Sequence, residues 1–318
     1  MSRTRDMIQE IADVRKRRRF GSAMSELPLR LFSLEQAFSQ HDPSQHELIR
    51  YFPVALIACV EGYFRLAVKD LIDAGEPYLS NAEKPAASIK LDFSIIRAVH
   101  GKTITVGELV AHGVSLSRLD HIDSIMSNLL GFGFLHELRK VTDRFAHEVM
   151  GKPTLPILKD PDQVYLDMAR TFELRHIICH EMASAYEIGF EEVGRCLESC
   201  VSFLKAADEL ISETLQPGAP LTQLQMNDVA AQAIADAKAR VDDIATAIRL
   251  RLDDADLACF NVSHERWQAY SDAWVAFVAG KREDGGTIWP LIASGIAVEA
   301  LEQRLEAMKN WRGLKEGS

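Results

Sequence analysis

A chain of 318 residues is long for one helical core and comfortable for two, and a hydrophobic content of 47% is enough to fill them. Its net charge of −10 excludes a generic nucleic-acid binder, because neutralising a phosphate backbone takes clustered Lys and Arg. Five scattered cysteines, Cys59, Cys179, Cys196, Cys200 and Cys259, form no CxxC pair, and they read as reduced core residues of a reducing compartment.

The N-terminal stretch MSRTRDMIQEIADV lacks the apolar core of a signal peptide. No later segment is expected to span a membrane, so the chain reads as soluble and cytoplasmic. Apolar residues recur at three- and four-residue spacing, and no run alternates for long, which predicts an all-α protein. Helices are expected near 4–18, 27–40, 44–74, 106–112, 117–131, 133–150, 162–186, 189–215, 223–254, 263–279 and 290–311. The first ends in the only strong basic cluster, Arg15 to Arg19, whose plain reading is a solvated helix face and loop. The helix over 44–74 follows Pro43-Ser44, carries a broad apolar stripe from Phe52 to Leu71, and stops at Gly75. Residues 75–90 are expected to form a loop. The helix over 162–186 opens after Pro161, with Asp162 at the positive end of its dipole. Two prolines and a glycine in Gln216-Pro217-Gly218-Ala219-Pro220-Leu221-Thr222 cannot continue a helix. They divide the chain into domains 1–215 and 223–318, joined by a linker at 216–222.

Within 162–186, Arg175, His176 and His180 sit on one helix, with Glu173 just before them. An arginine five positions ahead of a histidine is weak alone, since about one such match is expected by chance; Arg170 to His176 is a second, overlapping instance. About a hundred residues earlier an amphipathic stretch carries Glu61-Gly62-Tyr63-Phe64-Arg65. Together these segments resemble the HEPN family over about residues 30–210. Its signature is an arginine, a polar residue, three others and a histidine, late in a helical bundle. The chemistry suits the residue types. RNA is cut without a metal when the 2′-hydroxyl attacks the adjacent phosphate, a histidine moves the proton and an arginine steadies the phosphate charge.

The resemblance implies a HEPN-like helical bundle acting as an endoribonuclease that leaves a 2′,3′-cyclic phosphate, in bacteria often a toxin or phage-defence effector. It implies Arg175 as the phosphate cation, His180 as general base or acid, and His176 as an orienting or phosphate-binding residue. Glu61, Arg65 and Glu173 would support them. Five residues turn about 140° around a helix, so one helix does not aim both groups squarely at one phosphate. The resemblance supplies a homodimer with a composite site, and no metal or other cofactor. Other readings of the same residues stay open: a hydrogen-bonded core His180 with an ordinary surface Arg175, or His176 and His180 sharing a zinc ion beside Cys179, for which no third ligand is evident. A HEPN module that binds RNA or protein without cutting is a further alternative. Arg144 and His147, one turn apart, are read as structural.

In the second domain Trp267, Tyr270, Trp274 and Phe277 recur as one helix stripe, read mainly as core. Gly285-Gly286 turn the chain into Ile288-Trp289-Pro290, and the apolar stripe resumes through Ile292, Ile296, Leu301 and Leu305. The pair Trp267 and Tyr270, the turn Gly285-Gly286-Thr287-Ile288 and Glu302-Gln303-Arg304 ahead of Leu305 resemble the small helical domain of LprI-type lysozyme inhibitors, over about 224–312. Secreted members carry paired cysteines near these helices. Here Cys259 stands alone, which turns the expectation from extracellular inhibition toward a cytoplasmic adaptor that meets a protein partner through 223–318, with the loop Lys281 to Asp284 as one contact.

Overall fold

The computed structural model describes residues 3–19, 21–87, 89, 90, 92–181, 185–281 and 286–311. Contacts divide the chain into two compact units, Met1–Gly218 and Ala219–Ser318. Among the described residues both are built of helices without a strand; one isolated antiparallel bridge joins Thr142 to Pro156.

The first unit contains α1 (Arg3–Arg17), α2 (Ala23–Ser39), the turn α3 (His46–Ile49), α4 (Tyr51–Asp73), the turns α5 (Tyr78–Asn81) and α6 (Glu83–Ala86), α7 (Phe93–His100), α8 (Val106–Gly113), α9 (Leu119–Leu130), α10 (Phe134–Leu138), α11 (Pro161–His180) and α12 (Phe190–Leu215). Helix α4 is central because its apolar residues are not confined to one stripe. Leu56, Ile57, Val60, Phe64, Ala67, Val68 and Leu71 are all buried, so α2, α8, α11 and α12 pack around it. No membrane span was expected, yet His46–Asp73 is long and apolar enough to cross one; those apolar residues lie in the core of the unit. Phe64, Phe134 and Phe203 meet at centroid distances of 5.7 to 6.4 Å in the middle of that core.

Helix α8 starts with a reciprocal capping box between Thr105 and Glu108. Asp73 on α4 accepts from Thr105 Oγ1 at 2.8 Å and from Gly107 N at 3.0 Å. The two backbones lie so close that a Cβ on Gly107 would stand 2.5 Å from the Lys69 carbonyl oxygen, so the position needs glycine. Helices α11 and α12 are tied by Ser199, which donates to Asp167 at 2.7 Å, and α4 is tied to α12 by Tyr63, which donates to Asp208 at 3.1 Å.

Several expected boundaries move. The helix expected over 133–150 breaks into α10 and a π-helical turn, Phe145–Val149. Between them Thr142 pairs with Pro156 in the isolated bridge, and Ile157 N donates to Val141 O at 2.8 Å. Helix α11 ends at His180 rather than 186, and Tyr186 instead returns to Arg170. Helix α7 is an addition, capped by Asp92, whose side chain accepts from Ile95 N at 3.0 Å. The expected loop at 75–90 holds two helical turns, α5 and α6.

The second unit contains α13 (Gln223–Arg249), α14 (Asp254–Val278), a 3₁₀ turn (Gly286–Ile288) and α15 (Trp289–Lys309). Ala237, Val241, Ala245 and Ile248 of α13 close on Leu301, Leu305 and Met308 of α15. Alanines at two of the buried positions let the two backbones approach. The expected helix over 223–254 ends earlier, at Arg249, and the one over 263–279 starts earlier, where Asp253 caps Asp256 N at 2.9 Å. The aromatic stripe on α14 is not core as a whole. Trp267 packs on the α13–α15 core, whereas Tyr270, Trp274 and Phe277 are exposed, Phe277 at 76%. The α13–α15 pair fills the interior and α14 packs mainly on α15, so among the described residues of this unit no helix lies over those rings. Of the loop expected to meet a partner, Arg282, Glu283 and Asp284 lie outside the described residues.

All five cysteines are free; Cys59, Cys196 and Cys200 are buried as expected, but Cys179 and Cys259 are exposed. Burial pushes the Cys59 thiol up to about 11, which makes it a poor nucleophile.

Candidate functional site

Helix α11 begins with Pro161 at its first position and Asp160 as its cap, accepting from Gln163 N at 3.2 Å. Val164, Met168, Phe172 and Leu174 hold one side of the helix in the core. The other side reaches the surface at its C-terminal end, where Arg175, His176 and His180 lie. Arg175 Nη1 stands 3.5 Å from His180 Nε2. A guanidinium has only donors, so as a hydrogen bond this contact uses the ring nitrogen's lone pair, the same lone pair that would take a proton in base catalysis. The 140° between the two positions is spanned by the length of the arginine side chain. Arg175 Nη2 lies 4.0 Å from Glu61 Oε1 on α4, and this pair is partly shielded from solvent.

His176 is well exposed. Its ring centroid is 5.1 Å from that of His180, and its Nε2 is 3.9 Å from Glu181. Two imidazoles and one guanidinium thus share an open corner at the end of α11, where the helix dipole favours cationic side chains. Cys179 is exposed on the same turn. Among the described residues no group of three His, Cys, Asp or Glu side chains is placed to hold a metal ion.

The two overlapping Arg–His spacings are physically different. Arg170 donates to Glu192 at 2.8 Å, to Glu173 at 2.7 Å and to the Tyr186 hydroxyl, and it lies over the Tyr186 ring at 5.9 Å. These bonds, first that to Glu173, raise its pKa well above the usual arginine value against the opposing effect of burial. Arg170 is a structural clasp, while Arg175 meets only His180 and Glu61 among the described residues, which leaves donors for a ligand. Glu173 accordingly supports Arg170 and not Arg175.

Arg65 also departs from the corner. Its Nη1 donates to the carbonyl of Ala111 at 2.7 Å, facing α8 rather than Arg175. Glu61, Arg65 and Lys69 follow one another at four-residue spacing along α4, so they form one surface ridge. Lys69 lies outside the set expected from sequence; that spacing is the signal for it. Arg144 is held by Glu148 at 2.9 Å and by Glu213, and His147 meets Lys152 O and Thr154 at 3.1 and 3.0 Å, which suits a structural role for both.

The fold and corner together define a two-unit, all-α chain with an exposed Arg–His pair on one unit. Residues 216–308 match the family model for the lysozyme inhibitor LprI, so the second unit is an LprI-like helical domain. No curated protein matches the chain, and no solved structure matches it.

Proposed function

We propose that residues 1–218 are a HEPN-type module that engages RNA at the Arg175–His180 corner, and that the LprI-like unit recruits or regulates through a protein partner. The observation that carries this reading is the approach of a guanidinium and an imidazole to 3.5 Å on an exposed helix end, the two groups that phosphate binding and proton transfer require. Binding is the coarser form of the proposal. The finer form is cutting, by a metal-independent endoribonuclease of the toxin or phage-defence kind.

In that form Arg175 holds a phosphate oxygen and His180 removes the proton of the neighbouring 2′-hydroxyl. The hydroxyl oxygen bonds to phosphorus, the 5′-oxygen leaves with a proton from the solvent or a second imidazole, and a 2′,3′-cyclic phosphate remains. A second chain placing its own α11 opposite would supply that imidazole, which makes a homodimer the working assembly. His176 positions the phosphate from the edge of the corner, and Glu61 orients Arg175.

The test is cleavage of mixed cellular RNA by the purified full chain in EDTA, for wild type, His180→Ala and Arg175→Ala. Cutting that survives EDTA and falls at least about 100-fold in both variants supports the nuclease. RNA binding that survives His180→Ala, with no cutting by wild type, leaves a binding module.

The LprI match favours a second reading, an adaptor whose binding to a protein ligand depends on residues 219–318 and to which RNA is irrelevant. It predicts that removing the second unit abolishes partner capture, and that Arg175→Ala does not.

A further inference from the structure

Between α1, α4 and α8 the first unit holds a pocket of about 270 Å³. Its charged lining is Arg18, Arg65, Lys69, His112, Glu10 and Glu108. The acids and the lysine are largely committed. Both oxygens of Glu108 are taken by Arg15, with Thr105 N on one of them at 2.9 Å. Lys69 sits between Asp70 at 3.0 Å and Asp73 at 3.5 Å. Glu10 faces His112 at 3.8 Å from an exposed position.

The two arginines are not committed in this way. Arg65 donates from Nη1 to the Ala111 and His112 carbonyls at 2.7 and 3.4 Å, and among the described residues it meets no carboxylate. The Arg18 side chain has no ion pair or hydrogen bond among the described residues, although it is partly buried. Burial lowers its pKa first; the charges of Glu108, Glu26 and Asp70 raise it in part, and Arg65 lowers it slightly. Two guanidiniums line one cavity, and the partly buried Arg18 leaves its donors unused among the described residues; an anion seated there takes them up. Planar forks of donors suit the oxygens of a phosphate.

Position matters as much as charge. Arg65 stands one helical turn from Glu61, the partner of Arg175, and four residues of helix advance about 6 Å, on the scale of one nucleotide step in an extended strand. We propose that the pocket of Arg18 and Arg65 binds a backbone phosphate of the single RNA strand whose neighbouring phosphate lies at Arg175 and His180. The inference rests on the RNA reading of that corner and adds to it a second anchor. It also accounts for how an acidic chain holds RNA locally, with the end of the basic run at Arg15 to Arg19 supplying one wall.

The experiment is fluorescence anisotropy of the full chain with a labelled 2′-O-methyl oligoribonucleotide of about ten nucleotides, which cannot undergo 2′-hydroxyl attack. Binding is followed over a salt series for wild type, Arg18→Gln, Arg18→Lys and Arg175→Gln. The pocket predicts a loss of about 3- to 10-fold in Arg18→Gln, with the slope of log affinity against log salt reduced by about 0.7. Arg18→Lys keeps most of the slope. The Arg18 side chain makes no hydrogen bond or ion pair among the described residues, so Arg18→Gln is expected to melt close to wild type, and its melting curve, taken alongside, separates misfolding from the loss of a phosphate contact.

An unchanged Arg18→Gln beside a weakened Arg175→Gln overturns the pocket and leaves the reading of the corner intact. A weakened Arg18→Gln beside an unchanged Arg175→Gln keeps the pocket and overturns that reading. If wild type binds no RNA at low salt, both fall; titration with inorganic phosphate then separates a free-phosphate site, lost in Arg18→Gln, from an empty pocket.

Discussion

The two units use helices in opposite ways. The first buries a large apolar core around α4 and ties its helices to one another with polar bonds, as Tyr63 to Asp208 and Ser199 to Asp167 do. The second closes a narrow seam of small and aliphatic residues between α13 and α15 and leaves Tyr270, Trp274 and Phe277 of α14 exposed. It also holds two buried polar atoms without a partner among the described residues, His264 Nδ1 and Arg304 Nε, where the larger first unit has one, His41 Nε2. Such atoms cost stability. A helical domain therefore need not be self-sufficient in packing to be well formed, and the first unit should withstand denaturant better than the second. All four tryptophans, Trp267, Trp274, Trp289 and Trp311, lie in the second unit, so their fluorescence reads it alone while far-UV circular dichroism reads both.

The sharpest challenge to this contrast is a core truncation in each unit. Phe64 is fully buried among Tyr63, Phe134 and Phe203. Phe64→Ala is expected to cost about 3–5 kcal/mol, and Leu305→Ala in the second unit about 2–3 kcal/mol. In urea titrations tryptophan fluorescence gives the loss in the second unit, and the circular-dichroism transition that remains once that one is subtracted gives the loss in the first. A larger loss in Leu305→Ala would reverse the contrast. Next in size is Gly107→Ala. Its methyl meets the Lys69 carbonyl oxygen and the Asp73 carboxyl at 2.5 to 2.9 Å, and backbone cannot swing aside as a side chain does. A cost of about 1–3 kcal/mol is expected. A neutral result would show that α8 shifts freely on α4.

Much of this architecture was legible from the chain, and what was not has physical causes. Helix α4 announces itself because its apolar residues and its stop at Gly75 are local features. The Arg175–His180 pair is legible as a spacing, but its difference from Arg170–His176 is not. That difference is made by Glu192 and Tyr186, which the fold returns to Arg170 from beyond the end of α11. The break in 133–150 depends on backbone pairing between Val141 and Ile157, sixteen residues apart, against a local helical pattern. Helix α7 did carry a local signal, Asp92 ahead of an apolar run. The pocket of Arg18 and Arg65 joins residues from α4, α8 and the end of α1, so no window of sequence contains it. The exposed aromatic stripe of α14 has the same periodicity as a buried one; what distinguishes them is that no helix among the described residues of the second unit lies over it.

The units should also answer pH with opposite signs. Burial lifts the Asp208 carboxyl to about 6, with the Tyr63 hydrogen bond pulling the other way. Its ordinary value is 3.8. Between about 4 and 6 the folded state therefore holds the proton more tightly, and this contribution to stability falls as pH rises through the folded value. Asp208→Asn should flatten that slope and stabilise the first unit at pH 7 by about 1–2 kcal/mol, allowing for partial exposure. In the second unit burial first, then Arg304 and Arg249, lower the pKa of His264. Here the unfolded chain takes the proton first, so stability is lost as pH falls through the ordinary histidine range. Tryptophan fluorescence in urea at pH 7.5 and 5.5 should show this loss, and His264→Gln should remove most of it. Parallel slopes in the two units would mean that other groups dominate one of them.

The smallest effect is the most informative about the stripe on α14. Phe277 is 76% exposed and stands 5.9 Å from Trp274 by centroid. An aromatic ring with so little covering it has little burial to lose, so Phe277→Ala should change stability by no more than about 0.5 kcal/mol. The midpoint for wild type should then be the same at low and high protein concentration. A drop of about 2 kcal/mol would mean that the ring is covered in solution. Concentration dependence of the midpoint would then assign the cover to a second copy of the chain, since association stabilises by mass action and a contact within one chain does not. In that case the contrast between the units would survive in a changed form, with the second unit completing its packing only on assembly.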